Sequence, residues 1–144
     1  MRPGRDERGQ TALLIVGFFL VAVLLVVVVV DASAAYLRRQ ELDALADGAA
    51  LAAADGLQGA QVYEQGLGER AAIDQGLARA LVADYLDRLG ARRDHPGLVP
   101  EVTVRADSVD VVVRAPLELP LVPPGWTSGS RVTGRASAFV AVSD

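Results

Sequence analysis

The stretch TALLIVGFFLVAVLLVVVVV, residues 11–30, decides how this chain folds. From Ala12 to Val30 it carries no polar side chain, and Gly17 is the one position without an apolar side chain. At about 1.5 Å per residue, a helix over this stretch is roughly 30 Å long, the thickness of a bilayer's hydrocarbon core. The run Leu24-Leu25-Val26-Val27-Val28-Val29-Val30 favours a strand in water. In lipid, a single segment satisfies its backbone hydrogen bonds only as a helix. A membrane span is therefore predicted. Residues 1–10 then form a cytoplasmic tail, residues 11–30 the anchor and residues 31–144 one extracytoplasmic domain. The competing reading is a secretory signal with Ala32-Ser33-Ala34 as its cleavage site, but the apolar run exceeds the usual length of such a signal. Arg2, Arg5 and Arg8 precede the span and Arg38 and Arg39 follow it, so charge leans only slightly towards a cytoplasmic N-terminus.

Outward from the span the helix is expected to continue. Residues 31–55 lack proline and are rich in Ala, Leu, Arg, Gln and Glu, all good helix formers. Leu42, Leu45, Ala49 and Ala52 recur at helical spacing, and Ala44, Gly48 and Ala52 form a row of small residues that lets another helix approach. Leu42, Ala44, Leu45, Gly48, Ala49 and Ala52 are thus the candidate helix-packing interface, either for the chain's own sheet or for a second protein. Gly56 is read as the C-cap, giving a rod on the order of 65 Å long. Asp31, at the end of the apolar run, is read as an interfacial residue.

The order Arg8-Gly9-Gln10, apolar helix, Asp31, Ala35-Tyr36-Leu37-Arg38-Arg39 and then Leu42-Asp43-Ala44-Leu45-Ala46-Asp47-Gly48-Ala49-Ala50-Leu51-Ala52-Ala53-Ala54 resembles the N-terminal region of TadE/TadG-like proteins. Those are membrane-anchored, pilin-like proteins of the tight-adherence (Flp) pilus machinery. The resemblance covers about residues 8–56. It implies a role in assembling or seating a type IV-like pilus or secretion apparatus in the cytoplasmic membrane. The partners it implies are the lipid bilayer and other pilus-assembly or pilin-like proteins met through helix packing. Pilin-type signals place a glutamate five residues after the cleaved glycine; counted from Gly9, that position is Leu14. The segment therefore resembles the TadG side of the family, a tethered assembly factor, more than a fibre subunit. The other functional reading is a membrane-tethered binding module with no connection to pili.

Beyond a Gly- and Gln-rich connector, residues 56–68, a second helix is expected over about Glu69 to Leu89. Ile73, Leu77, Leu81 and Tyr85 step by four residues there, and Gly90 ends it. The period then changes to two. Val102, Val104 and Ala106 form one strand, and Val109, Val111, Val113 and Ala115 a second, with Asp107-Ser108 as the turn between them. Arg131 to Val142 forms a third strand. The fold class is α+β: a long transmembrane helix extending into a pilin-like domain with a second helix and a three-stranded antiparallel sheet. The loop from Pro116 to Ser130 holds four prolines and Trp126, a candidate docking anchor.

No catalytic, cofactor or metal site emerges. The chain has no cysteine, which removes thiolate metal sites and thiol nucleophiles. The one histidine, His95, lies in a charged turn and is read as a surface residue. No phosphate-binding glycine motif and no nucleophile elbow occurs. Residues 31–144 carry 11 Arg against 16 acids, a net −5, which speaks against nucleic acid as a partner. Helical carboxylates such as Asp43 and Asp47 are read as solvated. Neither enzyme activity nor a small-molecule substrate is expected.

Overall fold

The computed structural model describes residues 7–64, 75–105, 107–118, 120–121 and 129–140; at 7–9 and 61–64 only the backbone is described. Helix α1 runs Glu7–Glu64 without a break, 58 residues or about 87 Å. Helices α2 (Gln75–Arg88) and α3 (Ala91–Asp94) follow, then strands β1 (Val99–Val104), β2 (Ser108–Pro116) and β3 (Arg131–Phe139). The sheet is antiparallel in the order β1-β2-β3.

The outer half of α1 and the whole of α2 cover one face of this sheet, with α1 lying across β3 and β2 and α2 beside β1. The core explains why. On α1, Leu42, Ala46, Ala49, Ala50, Ala53, Ala54 and Leu57 are buried, a stripe at helical spacing built mostly from alanine. Such short side chains bring the helix backbone close to the sheet. Val109, Val111, Val113 and Ala115 of β2 meet it as the alternating inward residues of a half-buried strand, and Ala78, Val82 and Leu86 of α2 close the third side. The α+β class and the three-stranded sheet agree with the sequence patterns.

Several boundaries differ from the expectation. Gly56 does not cap α1. It lies inside the helix, where the Leu81 side chain of α2 occupies the space a Cβ would need, 2.6 Å away. Gly56 is thus a close-approach residue, and packing against α2 outweighs the roughly 1 kcal/mol a mid-helix glycine costs. Residues 57–64, expected in the connector, are helical as well, and Leu57 is buried in the core. Residues 65–74, with Ile73, lie outside the described residues. The helix α2 ends as expected before Gly90, whose φ of 68° is the left-handed conformation that favours glycine. The turn after it is a short helix, α3, and β1 begins three residues earlier than its alternation suggests. The β1–β2 hairpin closes with Arg105 N–H donating to Ser108 O at 2.8 Å.

Candidate membrane and partner interface

The inner half of α1 buries no residue among the described ones. None of its most apolar 18-residue stretch is buried, and Leu13 to Val30 present their side chains outward all round the helix. A helix apolar on every side has no stable place in water. Among the described residues this is the one helix long and apolar enough to cross a membrane. The same continuous helix supplies the domain's core eleven residues beyond Asp31, so the bare apolar half and the domain are joined by unbroken helix.

The outer half is anchored to the sheet by its own carboxylates. Asp43 Oδ1 accepts the backbone N–H of Arg135 at 3.1 Å, satisfying an edge donor of β3. At the opposite edge, Gln75 Nε2 donates to Val102 O of β1 at 3.3 Å. Asp31 Oδ1 accepts the backbone N–H of Leu121 at 3.2 Å, which brings Leu121 to the end of the apolar run. Asp43, read from sequence as merely solvated, is thus a structural acceptor. Gly134 of β3 allows the crossing: a Cβ there would lie 2.2 Å from the Leu42 carbonyl carbon and 2.5 Å from Asp43 N.

The six residues of the candidate packing face are placed as follows. Leu42 and Ala49 are buried in the chain's own core, and Leu45 packs against it. Gly48 lies under the Tyr85 hydroxyl of α2, 1.9 Å from where a Cβ would sit. Ala52 is half-buried and Ala44 is exposed. Among the apolar positions left uncovered on the outer half, Leu37, Ala44 and Leu51 lie seven residues apart and therefore on one face. Trp126 lies outside the described residues.

His95 is not a surface residue. It is 6% exposed, caps α3, and its Nδ1 is buried with no hydrogen-bond partner among the described residues. Burial holds its imidazole below the ordinary value, the nearby Arg38 guanidinium adds to that, and Glu41 and Asp94 pull the other way. Sequence alone placed it in a loop; the part of α1 beside it, around Arg38 and Glu41, is more than fifty residues away in the chain. Two open grooves flank α1. One, about 800 Å³, lies against β3 and is lined by Arg39, Asp43, Arg131 and Arg135 among others; the second, about 370 Å³, is framed by Ala44, Leu45, Tyr85, Leu89 and His95. Neither assembles a nucleophile with a base, and among the described residues no three His, Asp or Glu converge as metal ligands.

The chain thus joins a bare apolar helix to a small sheet domain whose core the same helix supplies, which suggests a membrane-anchored protein. Residues 9–56 match the Flp pilus-assembly TadE/G-like family. The TadE/G-like segment covers 48 of 144 residues and coincides with α1 from the start of the span to Gly56. It therefore takes in Asp31, Asp43 and the whole candidate packing face, while α2 and the sheet lie beyond it. No curated protein and no solved structure matches the chain.

Proposed function

We propose that the protein is a membrane-anchored structural component that assembles or seats a tight-adherence (Flp) pilus or a related secretion apparatus. The observation that carries this reading is the coincidence of the TadE/G-like segment with a helix that is bare over its inner half and the domain's core over its outer half. Residues 1–10 face the cytoplasm, residues 11–30 span the cytoplasmic membrane, and residues 31–144 stand outside as one pilin-like domain. Its role is structural and not enzymatic. Partners are other pilus-assembly or pilin-like membrane proteins. They pack as helices against residues 11–30 within the bilayer and against the uncovered part of the α1 face, Ala44 foremost among the candidate residues. Leu14 at the position of the pilin glutamate favours a protein retained in the membrane over one handed on into a fibre. The test is deletion of the gene in a strain that makes Flp pili. Loss of surface pili and adhesion, restored by the full chain, is expected; a deletion strain with normal pili refutes the reading.

A further inference from the structure

The joint between span and domain has a direction. Headgroups extend about 5–7 Å beyond the hydrocarbon core on each side of a bilayer, four to five helical residues. With the core ending at Val30, Asp31 to Ala35 lie at headgroup depth. The Asp31 carboxylate holds the backbone of Leu121 at that level. Leu121 is 44% exposed, and Pro120 beside it is exposed too. One turn further out, Arg131 shares a groove wall with Ala35 and Arg39. Arg131 is exposed and makes no ion pair among the described residues. An apolar side chain at the boundary with an arginine one turn outside it is the order in which a bilayer surface presents its own chemistry, acyl chains first and phosphates next.

We propose that Leu121 and Arg131 form a second membrane contact, with Leu121 seated at the acyl–headgroup boundary and Arg131 against lipid phosphates. The inference rests on α1 spanning the bilayer. Its consequence is mechanical: the sheet is held against the membrane at one edge, so the domain has a fixed face towards its partners. The far end of the sheet, where Phe139 is 76% exposed, stays in water.

The absence of cysteine makes the test direct. Single variants Leu121→Cys, Phe139→Cys and Phe19→Cys, all at exposed positions, are labelled with an environment-sensitive fluorophore. The full chain is reconstituted in phosphatidylethanolamine/phosphatidylglycerol vesicles. Quenching is read with lipids carrying a nitroxide high on the acyl chain and with iodide on both sides. The expected result is lipid quenching at positions 121 and 19, and iodide quenching severalfold stronger at 139 than at 121. If 19 is quenched by lipid but 121 behaves like 139, Leu121 faces water or a protein and the proposal is overturned alone. If 19 itself is quenched by iodide, the span is wrong and both readings fall.

Discussion

Replacing Gly134 by alanine isolates the contact on which the domain is built. The new methyl carbon would stand 2.2–2.5 Å from the backbone of Leu42 and Asp43, whereas ordinary contact begins at 3.4 Å. Backbone cannot rotate out of the way, so α1 and β3 must separate by about 1 Å, and a gap of that size forfeits roughly half of the dispersion energy of the facing atoms. Leu42 and Ala46, both wholly buried, lie at or beside this crossing, and the Asp43 bond to Arg135 N–H lengthens with it. Overpacking of this kind costs about 3 kcal/mol, offset by less than about 1 kcal/mol from the stiffer unfolded chain. The net loss of about 2 kcal/mol lowers the melting temperature of a domain this size by roughly 10 °C. Gly59→Ala is the matched control. It meets nothing within 4 Å and should stabilise by about 0.5–1 kcal/mol through helix propensity. Calorimetry of both variants in detergent micelles reads the difference. Equal melting temperatures for Gly134→Ala and wild type would show that α1 does not cross β3 at this point.

Other consequences follow from the same geometry. His95 titrates near 6.5 when unfolded and lower when folded, so below 6.5 the unfolded chain binds the proton more tightly. Stability is therefore full above pH 6.5 and falls as the pH drops from there towards the folded value, by at most about 1.4 kcal/mol per pH unit. His95→Gln should flatten that slope in denaturation midpoints taken just below pH 6.5. Asp43→Ala leaves the Arg135 amide of β3 without its acceptor and should cost about 1 kcal/mol, whereas Asp43→Asn keeps an acceptor oxygen and should stay within about 0.5 kcal/mol. Hydrogen exchange at Arg135 distinguishes the two. A double change, Leu20→Arg with Val23→Arg, adds about 5–7 kcal/mol to insertion of the span, comparable to the whole favourable transfer of its apolar side chains. It should move the protein out of the membrane fraction.

How far the sequence spoke depended on the range of the interactions involved. The long apolar helix was legible because its apolar run is unbroken within one segment. Leu42 and Ala49 of the buried stripe and the alternation Val109, Val111, Val113 were legible because each pattern repeats within one element, whereas the buried Ala46 and Ala53 were not separated from Leu45 and Ala52. What stayed hidden was decided by contacts between distant parts of the chain. A glycine that ends a helix and one that admits a neighbour read alike, so Gly56 passed for a cap although Leu81 fills its open side. Gly134 carried a signal, since a glycine inside a strand marks a bulge or a close backbone approach. His95 carried none: nothing local announces that α1 will fold over the turn that holds it. Asp31 and Asp43 looked like helix-surface acids because their donors, the backbone N–H groups of Leu121 and Arg135, lie some ninety residues away.

One measurement bears most directly on the proposal that a single helix serves as membrane anchor and domain core. Membranes containing the full chain are washed at alkaline pH and floated through a density gradient. Only protein inserted in lipid rises with the bilayer. The full chain should float quantitatively at its intact mass, with residues 11–30 protected from added protease. Recovery in the wash, or at the bottom of the gradient, would show that the bare half of α1 is covered by something other than lipid.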